Sequence, residues 1–213
     1  APTHALTPLI DRGLPVALIH ADDAEYQPPI ITNIVPEESQ VETSLKSWLD
    51  KYFHEADTKV AMVAMADEQD VAGHMSIRNQ RKKRIWSALS GRNCECVEVP
   101  DYGFCNALTV WQRYSENSRP DLFVCLSDEL AVGLKQLIIA TAVKNTMDWQ
   151  RRVIGFDNSE LARSEGISSF DQHLEETGRL AVSRLDEYCR QRHVAYPNYM
   201  PHEIVVKLVD RCG

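Results

Sequence analysis

The sequence has no excess of basic residues, because 23 lysines and arginines stand against 31 aspartates and glutamates, for a net charge of −8 over 213 residues. Since gripping the phosphate backbone of nucleic acid requires a basic face, we do not expect this chain to bind nucleic acid by itself. The sequence also lacks an apolar run near the ~20 residues of a membrane-spanning helix. We therefore expect no membrane partner.

The motifs of several enzyme and metal-site classes are absent as well. There is no G-x-S-x-G elbow, no phosphate-binding loop and no His-Glu metal helix. His54, Glu55 and His74 do not have the spacing of metal ligands, and Cys94-x-Cys96 has no matching second pair for zinc. We expect neither an enzyme nor a metal or cofactor site.

The six cysteines, which could form three disulfides, are better explained as free thiols. The chain is too large to need a disulfide framework, and Cys125 lies within an apolar strand pattern. Free thiols are typical of a cytosolic protein.

Apolar strand-like runs alternate with helical patterns along most of the chain. Strands are predicted at residues 14–19, 59–65, 96–99, 121–126, 152–156 and 204–208. Helices are predicted at residues 37–53, 77–89, 108–115, 129–143 and 174–189. Because strands separated by single helices form βαβ units, the predicted fold class is α/β with parallel sheet covered on both faces.

Six segments occur in an order and spacing that resemble one known family. They read DRGLPVALIHAD, RKKRIWSAL, PDLFVCLSDELAVG, RRVIGFDNSELA, ISSFDQHLEETGRLAVSRL and HEIVVKLV. Together they resemble the effector-binding domain of the LacI/GalR family of bacterial transcription regulators. That domain is similar to the periplasmic sugar-binding proteins, with two α/β lobes joined by crossover strands and the ligand in the cleft.

The resemblance implies a type I periplasmic-binding-protein-like fold with a particular division of the chain. An N-terminal lobe would hold residues 1–31 and 174–199, and a C-terminal lobe would hold residues 32–170 and 204–211. Family members begin with a helix-turn-helix headpiece and the first strands of the N-terminal lobe, neither of which precedes Ala1. We therefore expect an N-terminal lobe that is incomplete in this chain and no DNA-binding domain within it.

The function that the resemblance implies is that of a cytoplasmic ligand sensor. It would bind a sugar or related small metabolite, form a homodimer and reach operator DNA only through the headpiece. A periplasmic sugar-binding protein of a transport system is the alternative on the same fold. A third class, a small α/β hydrolase, has little support in the sequence.

Asp157 follows the strand predicted at residues 152–156. Open α/β sheets bind ligands beyond the carboxyl ends of their strands, and a carboxylate can accept two hydrogen bonds from neighbouring hydroxyls of a sugar. The alternative is that Asp157 caps the next helix. Asn158 and Ser159 could serve the turn and the helix start equally well, which favours the ligand role for Asp157.

Arg81 falls where the family has a ligand-clamping arginine. A guanidinium presents a fixed fork of donors that can bind hydroxyls, carboxylates or phosphates. The alternative is that the basic run at residues 78–84 forms a solvated helix surface.

The family resemblance adds five further ligand candidates. Tyr102 is aligned with an aromatic that stacks on ligands, beside Asp101, but it could equally belong to ordinary packing. Ser127 follows the strand at 121–126, and the adjacent Asp128 is expected to cap the next helix rather than bind ligand. Gln172 and His20 lie near the crossovers between lobes, where His20 could also be structural.

Overall fold

The computed structural model describes residues 7–19, 30–54, 57–67, 76–141, 146–190 and 202–212. The chain divides into two compact units, each described separately below. Unit 1 consists of Ala1–Glu37 and His173–Val205, and unit 2 consists of Glu38–Gln172 and Val206–Gly213. The chain therefore passes from one unit to the other after Glu37, after Gln172 and after Val205.

Unit 1 is built on a three-stranded parallel sheet in the order β1-β2-β8. Its elements are α1 (Thr7–Ile10), β1 (Val16–Ile19), β2 (Ile30–Glu37), α7 (Leu174–Arg190) and β8 (His202–Val205). Helix α7 packs on β1 and β2 and buries a small apolar cluster of Ile34, Ala181 and Ile204.

Unit 2 contains a six-stranded sheet in the order β4-β3-β5-β6-β7-β9. Its strands are β3 (Lys59–Met65), β4 (Asn93–Val99), β5 (Leu122–Cys125), β6 (Val153–Asp157), β7 (Ser168–Asp171) and β9 (Lys207–Val209). Its α-helices are α2 (Ser39–Tyr52), α3 (Ile77–Ala88), α4 (Asn106–Gln112), α5 (Asp128–Thr141) and α6 (Glu160–Ser164). All neighbouring strands are parallel except β9, which runs antiparallel to β7. Two short 3-10 helices, Glu116–Ser118 and Thr146–Arg151, precede β5 and β6.

The sheet of unit 2 carries an apolar core on each face, as β3 illustrates. Val60 and Met62 face a cluster that includes Leu45 of α2 and Ile85 of α3. Ala61 and Val63 face a second cluster that is built mainly from α4 and α5. Since successive side chains of a strand point to opposite faces, a strand covered on both sides becomes a continuous apolar run. The predicted fold class, α/β with parallel sheet flanked by helices, is confirmed.

The prediction of a single closing strand at residues 204–208 is wrong. His202–Val205 pairs with β2 in unit 1, whereas Lys207–Val209 pairs with β7 in unit 2. Val206 between them is fully buried in the core of unit 2. The first passage between units lies after Glu37 rather than at residue 31, because β2 stays paired with β8 through Glu37.

All six cysteines are free thiols. In the part of the chain that the structure describes, no His, Cys, Asp and Glu side chains gather in a group that could hold a metal ion. No helix within the described ranges is both long enough and apolar enough to cross a bilayer.

Gly155 of β6 provides a test of the packing between this strand and α5. A Cβ atom at this position would overlap the Asp128 carboxylate and lie 3.3 Å from the Ala131 side chain. Gly155→Ala is therefore expected to lower the free energy of unfolding of unit 2 by about 1–3 kcal/mol. Urea unfolding followed by tryptophan fluorescence measures this loss.

The control for this substitution is Gly178→Ala in α7, where an added Cβ meets nothing within 4 Å. All four tryptophans, Trp48, Trp86, Trp111 and Trp149, belong to unit 2, so the control should leave the fluorescence transition unchanged. An unchanged midpoint for Gly155→Ala would contradict the packing described here.

Candidate functional site

The candidate ligand residues of unit 2 follow the carboxyl ends of neighbouring strands. Asp157 ends β6, Gln172 follows β7, Ser127 follows β5, and Asp101 and Tyr102 follow β4. Because these strands are parallel, their carboxyl ends share one edge of the sheet, where open α/β proteins bind ligands.

Four of the side chains in this region form a continuous hydrogen-bonded chain. Arg81 Nε donates to Glu38 Oε1 at 3.1 Å, and Arg81 Nη2 donates to Gln172 Oε1 at 2.7 Å. Gln172 Nε2 in turn donates to Asp157 Oδ1. Glu38 is the first residue of unit 2 and Gln172 is the last residue before the chain leaves it. Arg81 is therefore bonded to Glu38 and Gln172, which adjoin two of the three points where the chain passes between the units. Through Gln172 it is also linked to the Asp157 carboxylate at the end of β6.

Arg81 is held from several sides. Its side chain is only 11% exposed and that of Glu38 only 5%. The guanidinium lies over the ring of Phe156 at 3.9 Å, and this ring stacks on Phe170 with a centroid separation of 5.0 Å. The interpretation of residues 78–84 as a solvated surface is therefore wrong for Arg81. Its remaining N–H groups have no acceptor among the residues that the structure describes.

Asp157 combines an unusual backbone with a perturbed carboxyl group. Its φ is 114° and that of Asn158 is 51°, both in a region that non-glycine residues rarely adopt. Burial raises the pKa of Asp157 to about 6, although the charge of Arg81 opposes this shift. Strained backbone of this kind is concentrated at functional sites.

The roles expected of Asn158 and Ser159 are confirmed. Ser159 Oγ accepts the Ala162 N–H at 3.2 Å and caps α6. The Asn158 N–H donates to Ser169 Oγ at 3.0 Å, which fixes the turn against β7. The cap of α6 is thus Ser159 and not Asp157, whose carboxylate instead accepts from Gln172 at the sheet edge.

The role expected of Asp128 is wrong. Ser127 Oγ, not Asp128, accepts the Leu130 N–H at 3.2 Å and caps α5. The buried Asp128 carboxylate instead accepts bonds from Ser159 N at 2.7 Å and Ser169 Oγ at 2.6 Å. It therefore connects the start of α5 to both the β6–α6 turn and β7. The Ser127 hydroxyl also donates to the Tyr102 carbonyl at 3.2 Å, and its role as a ligand contact remains a prediction.

Tyr102 and Asp101 have local structural roles. The Tyr102 ring packs against both apolar clusters of unit 2, and burial raises the pKa of its hydroxyl. Asp101 Oδ1 accepts the Gly103 N–H and an Asn106 amide N–H, each at 2.7 Å, and so shapes the loop before α4. Ligand contacts by Tyr102 and Asp101 also remain predictions, and His20 lies outside the described residues.

The sequence did not reveal two residues of this site, Glu38 and Phe156. Glu38 was included only in the predicted helix at 37–53, and no motif separates it from the adjacent Glu37. Phe156 was assigned only to a buried strand. Both gain their roles through Arg81, and Glu38 lies 43 positions away from it along the chain.

The raised pKa of Asp157 predicts a pH-dependent cost to stability. The folded state holds this proton up to about pH 6, whereas the unfolded state releases it near pH 3.8, so this group lowers the free energy of unfolding as the pH rises between these values. Asp157→Asn keeps an acceptor for Gln172 and removes the charge. We expect its melting temperature to exceed that of the wild type by a few degrees at about pH 7.5, and by less at about pH 4.

Asp210→Asn is the matched control because its expected effect has the opposite sign. Burial alone would raise the pKa of Asp210, but hydrogen bonds from Lys51, the Cys212 amide, Tyr52 and Trp48 lower it to about 2. Its stabilising contribution is present above pH 3.8 and is lost as the pH falls towards 2, so this variant should melt lower at pH 7.5. Destabilisation of Asp157→Asn that is greater at pH 7.5 than at pH 4 would refute the account of Asp157.

The family of periplasmic binding protein-like domains matches residues 51–211 of the chain. Catabolite control protein A of Staphylococcus aureus (strain MRSA252) is 26% identical over 143 residues, which make up 65% of this chain and 40% of that protein. The chain thus spans well under two thirds of the length of this curated relative.

Solved structures of regulators share the fold. One is a LacI family transcriptional regulator from Enterococcus faecalis V583 with bound ribose, which is 15% identical with a TM-score of 0.66, over 99% of this chain and 72% of that chain. Another is the Cra transcriptional dual regulator from Pseudomonas putida in complex with fructose 1-phosphate, at 16% identity and a TM-score of 0.64, over 99% and 73%.

Both of these solved structures are described as transcriptional regulators. The resemblance that the six sequence segments indicated is confirmed by a family match over most of the chain and by the shared fold. The chain belongs to the family of periplasmic binding protein-like domains.

Proposed function

We propose that this chain is the ligand-sensing part of a cytoplasmic LacI-type transcription regulator and that it binds a sugar or a related small metabolite. The observation that carries the proposal is the hydrogen-bonded chain that links Asp157, Gln172, Arg81 and Glu38 at the carboxyl ends of the strands. Asp157 supplies an acceptor and Arg81 supplies donors. Ligand hydroxyl groups, which both donate and accept, can be bound by such a pair.

The related structures support this class of ligand. The Enterococcus faecalis regulator holds ribose and the Pseudomonas putida regulator holds fructose 1-phosphate. Both ligands are sugars rich in hydroxyl groups. A transport protein of the periplasm could use the same type of site, but the proteins that this chain matches are regulators, which favours the sensor.

The position of the hydrogen-bonded chain suggests how ligand binding could be transmitted. A ligand that bonds to Asp157 or Arg81 competes with Gln172, which is bonded to both, and Gln172 adjoins a passage of the chain between its units. The shift in conformation can be no larger than the difference in ligand affinity between the two states. In a homodimer, this shift would alter the spacing of the DNA-binding headpieces and hence the affinity for operator DNA.

The first test is calorimetric titration of the chain with neutral sugars and nucleosides. For whichever compound binds, we expect Asp157→Ala and Arg81→Ala each to raise the Kd roughly tenfold or more, because each removes a charge-assisted hydrogen bond worth about 1.5–3 kcal/mol. Tryptophan fluorescence and circular dichroism establish that the variants are folded.

Arg113→Ala is the control, because Arg113 is an exposed arginine whose carboxylate partner, Glu95, lies at 3.6 Å on the surface. It should leave the Kd unchanged. A compound that binds the wild type, Asp157→Ala and Arg81→Ala equally well would overturn the assignment of the site.

A further inference from the structure

The charge of Arg81 is already balanced within the protein. Glu38 accepts from Arg81 Nε at 3.1 Å, and both side chains are almost fully buried. Burial lowers the effective dielectric constant, so the two charges interact more strongly than an exposed pair would. The guanidinium can still donate hydrogen bonds to a ligand, but it does not offer an uncompensated positive charge.

The surroundings of Asp157 are negative. Burial is the main cause of its raised pKa; the charges of Asp128 and Glu129 add to the shift, and the charge of Arg81 opposes it. The carboxyl groups of Glu38 and Asp157 therefore both act on the Arg81 guanidinium, the first by direct contact and the second through its charge. A phosphate dianion would enter against this field and would also lose its hydration.

Two other cations of α3, Lys82 and Arg78, contact partners other than Asp157. Lys82 Nζ lies 2.9 Å from Glu98 and 3.0 Å from Asp67, and these bonds outweigh burial and raise its pKa. Arg78 Nη1 points to the Met65 sulfur at 3.2 Å. Neither bond directs a cation towards the Asp157 carboxylate.

We propose that Glu38 is a specificity-determining residue of this site. By compensating the charge of Arg81, it makes the site bind neutral polyhydroxylated ligands more tightly than phosphorylated ones. This inference rests on the proposed function, since it concerns the same site. A neutral sugar uses Asp157 as acceptor and Arg81 as donor without adding charge. The phosphate group of a phosphorylated sugar gains most from an uncompensated cation, which the pairing of Arg81 with Glu38 withholds.

The test compares neutral sugars with their phosphates on the wild type and on Glu38→Gln. Calorimetry with ribose and ribose 5-phosphate, fructose and fructose 1-phosphate, and glucose and glucose 6-phosphate gives the ratio of Kd values for each pair. In the wild type, we expect the neutral member of the pair that binds to have a Kd at least roughly tenfold lower than its phosphate. Glu38→Gln leaves Arg81 with a net positive charge and should shrink this ratio by roughly tenfold or more.

Two further variants separate this effect from a general one. Glu42→Gln removes the same charge four residues further on, in the first turn of α2, but Glu42 pairs with Lys46 at 2.6 Å on the surface, so the ratio should not change. Glu38→Asp keeps the charge and should keep the preference for neutral ligands, which also controls for damage to the fold.

The results of this test distinguish a failure of the proposed role of Glu38 from a failure of the proposed sensor function. A wild type that binds a phosphate as tightly as its neutral sugar, or an unchanged ratio in folded Glu38→Gln, overturns the role of Glu38 while leaving the sensor function intact. Absence of binding for every sugar in either form overturns the proposed function and the role of Glu38 with it.

Discussion

A buried guanidinium must have an anion and further acceptors close by, and in unit 2 this requirement organises the candidate site. Arg81 is satisfied by Glu38 and Gln172 and by the face of Phe156. Breaking a buried pair of this kind by removing one partner costs about 3–5 kcal/mol, because a charge is left uncompensated. The side chains of Glu38 and Gln172 are therefore fixed relative to α3. Gln172 in turn fixes the Asp157 side chain by donating a hydrogen bond to it. The same contacts that keep Arg81 in the interior place a donor and an acceptor at the edge of the sheet.

The buried Asp128 carboxylate supports the turn that carries Asp157. Asp128 accepts hydrogen bonds from Ser159 and Ser169, and it thereby joins α5 to the turn in which Asp157 and Asn158 have positive φ values. Backbone strain of about 1–3 kcal/mol per residue persists only where its surroundings enforce it. The space for this carboxylate exists because residue 155 is a glycine. The site is consequently part of the packing between β6, β7 and α5, and does not depend on a loop alone.

Much of the fold could be predicted from local pattern, whereas the partners of individual side chains could not. The alternation of apolar runs and helices gives the α/β class, and the run KVAMVAM delimits β3 because it is buried on both faces. The division of residues 202–209 into two strands depends on which sheet each half joins, which is a long-range property. Alignment with the family's arginine position indicates Arg81 as a ligand residue. Its bond to Glu38 spans 43 residues, so no short sequence pattern indicates it. Asp128 was misassigned for the same reason, since its partners are 31 and 41 residues away.

The central claim is that the Asp157 carboxylate and the Arg81 guanidinium together bind the hydroxyl groups of a ligand. A crystal structure of the chain with the neutral sugar that binds most tightly in calorimetry tests it most directly. We expect sugar hydroxyls within hydrogen-bond distance of Asp157 and of Arg81, with Glu38 still paired to Arg81. A sugar that lies elsewhere, or that contacts neither side chain, would contradict the claim.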